Sequence, residues 1–227
     1  MTAGLQRGFL GILMLDTHFP RPVGDIGNPG TFAQGGIDVR YLTVRGASPK
    51  RIVQQGDPAL LAPFVAAAND MVRQGAHMVS TSCGFLALWQ AQLAQAVPVP
   101  VVTSSLLACA RVERPGIVTI SADSLGLPTL RAAGVPDGTP VQGVAPGCEF
   151  QRRILGNETE LDLVQAREDV VQAACQLVRT YPGVGTIVLE CTNMPPYRVA
   201  VTQATGRPVI DIVTVLRQAW AELALDP

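Results

Sequence analysis

Short apolar runs rich in valine and isoleucine recur along the chain, and they constrain its fold more than any other feature. The runs lack the strict alternation of apolar and polar residues that a strand with one solvated face shows. Unbroken runs of this kind are typical of parallel strands buried on both faces. They cover residues 9–15, 39–44, 77–82, 99–104, 116–121, 185–190 and 207–213.

Longer stretches with helical character separate these runs. They cover residues 57–74, 85–96, 158–181 and 213–224. Alternation of strands and helices predicts an α/β fold with right-handed crossovers. The chain has 227 residues, of which 48% are hydrophobic and 15% charged, so it can bury a substantial core in one large or two small domains.

An internal repeat links the two halves of the chain. Cys83 and Cys191 each follow an apolar run, and they are separated by 108 positions (191 − 83). Pro100 and Pro208, each of which opens a strand-like run, have the same separation. The shared offset predicts two copies of one α/β unit, each with a cysteine at the same strand end. We take the two copies to face each other across a cleft, related by a pseudo-two-fold axis.

The repeat also predicts the domain boundaries. We expect a first domain formed by residues 1–107 together with 208–227, and a second formed by residues 108–207. The C-terminal segment would then return to complete the first domain, with residues 208–212 as a first-domain or junction strand.

Two cysteines that face each other across a cleft would approach a ligand from opposite sides. One thiolate removes a proton from a carbon, and the other cysteine, as a thiol, returns a proton to the opposite face. This two-base racemisation needs no cofactor, and each proton transfer contributes about 10²–10⁴-fold to the rate. Backbone N–H groups at helix starts can stabilise the enolate-like intermediate and favour the thiolate.

Burial in the core is the alternative interpretation for any single cysteine, because free cysteine is among the most buried residue types. We adopt it for Cys109, Cys148 and Cys175. The repeat-related positions of Cys83 and Cys191 favour a catalytic function for that pair.

Composition argues against several other classes of function. The net charge of −1 gives no electrostatic footprint for nucleic acid or for an acidic membrane surface. Five cysteines and two histidines, without metal-ligand spacing, indicate neither a disulfide framework nor a metal site, and favour a reducing, cytoplasmic compartment. The sequence has no phosphate-loop motif, so it gives no indication of a nucleotide-binding site. Nothing in the sequence excludes assembly into a homo-oligomer.

The segments "TSCGF" at 81–85 and "LECTNMPPY" at 189–197 resemble the two cysteine motifs of the aspartate/glutamate racemase superfamily. This superfamily includes hydantoin racemases, arylmalonate decarboxylases and maleate isomerases. The resemblance implies two Rossmann-like (flavodoxin-like) parallel-sheet domains, a site in the cleft between them, and no cofactor. It assigns catalysis to Cys83 and Cys191. It assigns binding of a substrate carboxylate to the backbone N–H groups of Gly84, Phe85, Thr192 and Asn193.

This chain departs from the glutamate racemase pattern at both motifs. Gly84 and Phe85 stand where those enzymes have Asn-Thr, and Thr192 and Asn193 stand where they have Thr-His. The missing polar side chain and imidazole disfavour glutamate as the substrate. The presence of both cysteines disfavours a decarboxylase, which keeps only one.

The loop 16–38, directly after the first strand, supplies further candidates for substrate binding. Asp16 and Thr17 match the family's Asp-Ser, and Asp16 either orients a proton-transfer group or makes local turn bonds. Arg21 either binds a distal carboxylate or pairs with Asp25.

Three polar residues beside the apolar runs are the remaining candidates for the site. Ser82 directly precedes Cys83, and Ser121 either contacts substrate or caps a helix. Glu190, beside Cys191, either pairs with an arginine or faces the cleft.

The resulting hypothesis is a cofactor-independent racemase or epimerase acting on an amino acid or a related carboxylate. The alternatives are a hydantoin racemase, a maleate-type cis–trans isomerase or a decarboxylase on the same scaffold. A more distant alternative is a non-catalytic protein that binds small acids.

Overall fold

Two four-stranded, fully parallel sheets form the centre of the computed structural model, which describes residues 8–33 and 35–223. The first sheet has the strand order β2-β1-β3-β4 and the second the order β6-β5-β7-β8. The strands are β1 (Phe9–Leu15), β2 (Val39–Val44), β3 (Ala76–Thr81), β4 (Val101–Val102), β5 (Pro115–Thr119), β6 (Val141–Gly143), β7 (Thr186–Leu189) and β8 (Val209–Ile210).

The two sheets are copies of one arrangement. Their strand orders are equivalent, and β8 begins 108 positions after β4 (209 − 101). The predicted α/β fold with two similar parallel-sheet units is therefore confirmed.

Helices cover the sheets, as parallel strands buried on both faces require. The α-helices are α1 (Gly30–Ala33), α2 (Leu61–Arg73), α3 (Gln90–Ala96), α4 (Leu127–Ala132), α5 (Glu149–Gly156), α6 (Leu163–Thr180), α7 (Arg198–Thr205) and α8 (Ile212–Leu223). Short 3-10 helices cover Pro58–Leu60, Gly84–Trp89, Ser105–Arg111 and Pro195–Tyr197, and Lys50–Gln54 forms a π-helix. No helix in these two described ranges is long and apolar enough to span a membrane.

The apolar pattern predicts the longest strands best. β1 and β2 have the predicted bounds, and every residue of β1 is buried. β6 was not predicted, because it has only three residues, all half-buried. The predicted helix at 158–181 starts five residues late, at Leu163, because Asp162 caps it by accepting hydrogen bonds from the N–H groups of Val164 and Gln165.

The C-terminal segment is divided between the two sheets. β8 pairs with β7, so the strand within 208–212, predicted as a first-domain or junction strand, lies in the second sheet. α8 does pack on the first sheet, where Ile212, Val213 and Leu216 join the core residues of β1. The domain boundaries as a whole stay a prediction, and residues 1–7, 34 and 224–227 within them lie outside the described residues.

Candidate active site

Both motif cysteines lie two residues beyond the carboxyl end of a central strand. Cys83 follows β3 and Cys191 follows β7, which are equivalent strands in the two sheets. Cys83 has extended backbone angles (φ −152°, ψ 119°) and directly precedes the 3-10 helix Gly84–Trp89. Ligand sites in parallel α/β sheets form at this edge.

The two cysteines line one enclosed cavity, to which both halves of the chain contribute. Its volume is about 20 Å³, which is room for roughly one water molecule. The polar and small lining residues are Ser82, Cys83, Gly84, Glu190, Cys191, Thr192 and Asn193. The apolar wall consists of Leu15, Phe19, Pro49, Val53, Phe85, Ile120, Ile154 and Leu155. A substrate therefore needs this wall to move outward.

Hydrogen bonds between the two motifs fix them against each other. The Thr192 hydroxyl donates to the Ser82 carbonyl oxygen at 2.7 Å, and the Ser82 hydroxyl accepts from the N–H of Leu15 at 2.8 Å. Ser82 and Thr192 thus use their polar groups to align the strand ends.

Burial keeps both motif thiols protonated. Each cysteine is 7% exposed. Burial raises the pKa of Cys83 to about 12, with the nearby Glu190 carboxylate as a second cause, against the opposing N–H groups of Phe85 and Leu86. Burial and Glu190 also raise the pKa of Cys191 well above its ordinary value. The N–H groups at the helix start do favour the Cys83 thiolate, as expected, but desolvation in this cavity outweighs them.

Glu190 is a fully buried carboxyl group beside both thiols. Its Oε2 accepts a hydrogen bond from the Thr119 hydroxyl at 2.7 Å, whereas Oε1 has no partner among the described residues. Burial raises its pKa to about 7. The arginine pairing considered for Glu190 is not found among the described residues, and the carboxyl group faces the cavity. Its protonation state acts on both thiols.

A second buried network reaches Cys191 from the loop after β1. Asp25, which is 1% exposed, accepts hydrogen bonds from Arg21 Nη1 and from Asn193 Nδ2, each at 2.7 Å. Asn193 Oδ1 lies 3.5 Å from the Cys191 sulfur. Arg21 therefore takes the Asp25 pairing rather than facing the cavity, and the structure favours this alternative over binding of a distal carboxylate.

Three other predicted binding residues lie outside the cavity lining. The Asp16 carboxylate accepts from the N–H of Gly46 at 3.1 Å. The Thr17 hydroxyl accepts from Arg21 at 2.9 Å. The Ser121 hydroxyl donates to the Ser124 hydroxyl at 2.9 Å. None of these contacts reaches the cavity, so the structure does not bring the three residues together with the cysteines.

The remaining cysteines also lie away from the cavity. Cys109 is fully buried, and burial raises its pKa to about 12. Cys148 precedes α5 and Cys175 lies within α6, both partly buried. These positions fit the packing interpretation.

The sequence indicates Asp25 only as a partner of Arg21, and of the residues in the apolar wall it indicates Phe85 alone. Charged residues in an apolar run are a usable signal, as with Glu190, but Asp25 lies in a polar loop where nothing local distinguishes it.

Comparisons with known proteins give sequence relatives, described first, and solved structures that share the fold. No family model matches the chain. Dimethylsulfoniopropionate lyase 6 of Emiliania huxleyi is 30% identical over 240 residues, covering 96% of this chain and 60% of the relative. The dimethylsulfoniopropionate lyase of Durusdinium sp. clade D is 29% identical over 224 residues, covering 92% and 73%. The chain thus spans only 60% of the length of the Emiliania relative.

Solved structures share the fold at low sequence identity. An arylmalonate decarboxylase superposes with a TM-score of 0.60 at 19% identity, covering 95% of this chain and 92% of that one. A glutamate racemase from Bacillus anthracis gives a TM-score of 0.60 at 15% identity, covering 97% and 82%. An aspartate racemase homologue from Pyrococcus horikoshii gives 0.54 at 16%, covering 95% and 98%. The chain therefore has the fold of the aspartate/glutamate racemase superfamily.

Proposed function

We propose that this chain is an enzyme that removes a proton from the carbon next to a carboxylate, and that its reaction is β-elimination from dimethylsulfoniopropionate or a closely similar zwitterion. The observation that carries the first half is the enclosed cavity shared by Cys83 and Cys191. The second half is supported by 29–30% identity to dimethylsulfoniopropionate lyases over 92–96% of the chain.

The charges of the cavity favour a substrate with one carboxylate and one cationic group. None of the described residues that line the cavity is basic, and Glu190 is its acidic residue. A second carboxylate, as in glutamate or aspartate, would enter without a cationic partner. A sulfonium group would find the Glu190 carboxylate and the aromatic face of Phe85, both of which attract cations.

A cationic substrate would also lower the high pKa of the thiols. A positive charge that enters a low-dielectric cavity favours the charged form of a nearby acid, so a sulfonium group lowers the pKa of a cysteine beside it. The thiolate would then form when the substrate is bound and not in the closed, empty cavity.

The reaction requires a single base. The α-carbon proton passes to a cysteine thiolate, and the electron pair of that C–H bond becomes the second bond between the α and β carbons. The bond from the β carbon to sulfur breaks with its pair on sulfur. The products are acrylate, dimethyl sulfide and a cysteine thiol, which loses its proton to solvent when the next substrate binds.

Backbone N–H groups would stabilise the charge that develops on the carboxylate. N–H groups in the first turn of a helix have no partner within the helix. Gly84 and Phe85 begin a 3-10 helix at the cavity, and Thr192 and Asn193 occupy the equivalent turn after β7. Donors aimed at developing negative charge are often the largest single contribution to catalysis.

Racemisation or epimerisation of an amino acid or related carboxylate is the second candidate. The observation that favours it is the presence of two thiols in one cavity, because elimination uses only one base whereas racemisation uses an acid and a base on opposite faces. Both reactions share the first step.

One experiment in deuterated water separates the candidates. The purified protein is incubated with dimethylsulfoniopropionate, and in parallel with the separate enantiomers of amino acids and hydantoins. Dimethyl sulfide in the headspace and acrylate in the proton NMR spectrum support elimination. Deuterium uptake at the α carbon of an amino acid or hydantoin, without elimination, supports racemisation. If neither elimination products nor deuterium uptake were detected at high enzyme concentration, the proposal would be overturned.

A further inference from the structure

We propose that Asp25 and Asn193 are positioning residues that hold Cys191 as the proton-donating thiol, which leaves Cys83 as the base. This division of labour rests on the proposed function, because it assigns roles within that reaction. It applies to elimination, where Cys83 takes the α proton, and to the acid and base of a racemisation.

The two cysteines would be equivalent if the internal repeat were perfect, and Asn193 breaks the equivalence. Asn193 corresponds to Phe85, 108 positions earlier (193 − 85). At the first motif the backbone N–H groups of Phe85 and Leu86 lower the pKa of the Cys83 thiol, and the Leu86 N–H also donates to the Cys83 carbonyl oxygen at 3.1 Å. At the second motif the backbone N–H of Asn193 lowers the pKa of Cys191, and the Cys191 thiol donates to the Asn193 side-chain oxygen at 3.5 Å.

Asp25 determines which end of the Asn193 amide faces the sulfur. An ionised carboxylate only accepts hydrogen bonds, so the NH₂ end of the amide must point to Asp25. The distance from Asn193 Nδ2 to Asp25 Oδ2 is 2.7 Å. Arg21 and the N–H of Gly27 each donate to Asp25 Oδ1 at 2.7 Å, which holds the carboxylate in place. The amide oxygen is therefore left facing Cys191.

An amide oxygen beside a sulfur atom favours the thiol over the thiolate. The oxygen accepts a hydrogen bond from S–H, whereas it would repel a negatively charged sulfur. The titratable groups around Cys191 are Glu190, Cys83, Asp25 and Tyr197. Anionic charge on Glu190, Cys83 or Asp25 acts in the same direction as the amide oxygen, and the N–H of Asn193 opposes them.

Cys83 differs from Cys191 in the groups that oppose its high pKa. Burial and the Glu190 carboxylate raise the pKa of both thiols, but at Cys83 two N–H groups and the positive charge of Arg21 lower it. No side-chain acceptor among the described residues takes a hydrogen bond from the Cys83 sulfur, whereas Asn193 accepts one from Cys191. When a substrate is bound and one thiol ionises, Cys83 is thus the thiol that ionises more easily.

Infrared spectroscopy of the S–H stretch tests the inference without substrate. The spectrum of the wild-type protein minus that of Cys191→Ser isolates the band of the Cys191 thiol, and subtraction of Cys83→Ser isolates that of Cys83. We expect a Cys191 band at neutral pH at the low wavenumber of a hydrogen-bonded thiol. Asn193→Ala should shift it upward and leave the Cys83 band in place.

Asp25→Asn is the second variant, and it keeps the shape of the buried side chain. Because its amide no longer forces the NH₂ end of Asn193 away from the sulfur, the Cys191 band should shift upward there too. An unchanged Cys191 band in both variants, or no Cys191 thiol band in the wild-type protein, would overturn the inference. These results do not depend on activity, so they leave the proposed function to its own test.

Discussion

Glu190 acts on both cysteines of the candidate site, although its sequence context alone does not indicate this role. It interrupts an apolar strand end, and there the sequence left pairing with arginine and exposure to the cleft equally open. The structure places its carboxyl group in the cavity wall, fully buried and bonded to Thr119. Its burial is a tertiary effect, since the residues that remove water from it come from both halves of the chain.

Replacement of Glu190 by glutamine should change how stability depends on pH. Burial raises the carboxyl pKa from 4.5 to about 7, so the folded state holds this proton more tightly than the unfolded state. The associated stability is fully present below pH 4.5 and is lost as the pH rises through 7. This loss is on the order of 3 kcal/mol, and Glu190→Gln should not show it.

Urea unfolding at pH 5 and pH 8 measures this effect. Glu113→Gln is the control, because the Glu113 side chain is 85% exposed and its removal should leave the pH dependence as in the wild-type protein. If Glu190→Gln lost as much stability between these pH values as the wild-type protein, the carboxyl group would not carry the proposed buried proton.

At the scale of elements, the turns after β3 and β7 both line the cavity of the candidate site. The sequence placed these two turns at strand ends. Two apolar runs are each followed by a cysteine, and the two cysteines are 108 positions apart. This pattern indicates equivalent strand ends and can be found without knowing which residues are in contact. Short elements such as β6 escape such a pattern, because three half-buried residues carry no period. The hydrogen bonds that join the two turns were not predictable, because they depend on packing between distant parts of the chain.

Substitution of Gly84 tests the close packing of the turn after β3 against the end of β7. A Cβ atom at this position would overlap with Glu190 Oε1 and with the Glu190 carbonyl oxygen. A backbone atom cannot move aside without displacing the end of β7, so Gly84→Ala should separate the two motifs. We expect a loss of about 10²-fold in kcat from misplacement of the reacting groups, with dimethyl sulfide release as the measurement.

Gly183→Ala is the matched control, since a Cβ atom there meets no atom within 4 Å. It should keep wild-type activity. Wild-type kcat in Gly84→Ala would show that the turn tolerates displacement and that the described approach is unimportant for turnover.

At the scale of the whole molecule, the loop after β1 and the end of α5 both contribute to the cavity wall, through Phe19 and through Ile154 and Leu155, and hydrogen bonds join them. Asn157, in the left-handed conformation (φ 54°), accepts from the N–H of His18 at 2.7 Å and donates to the Asp16 carbonyl oxygen at 3.3 Å. The partners are 139 and 141 positions away in sequence. No local pattern encodes such contacts, so the sequence predicted a cleft but not its closure.

Asn157→Gly should open the cavity without disturbing the end of α5. Glycine adopts the left-handed conformation easily, so the helix end is kept while the side-chain contacts to His18 and to the Asp16 carbonyl oxygen are lost. We expect iodoacetamide to modify Cys83 several-fold faster than in the wild-type protein, as measured by mass spectrometry. Cys175, in the middle of α6, is the internal control and should react at an unchanged rate. An unchanged rate at Cys83 would mean that these hydrogen bonds do not close the cavity.

The most direct test of the central claim is dimethyl sulfide release by the wild-type protein, by Cys83→Ser and by Cys109→Ser. Both variants replace one sulfur atom in a buried cysteine, but only Cys83 lines the cavity. If Cys83 removes the α proton, Cys83→Ser should lose about 10²–10⁴-fold in kcat while Cys109→Ser stays close to the wild-type rate. Equal rates in the two variants, or no release by the wild-type protein, would contradict the account.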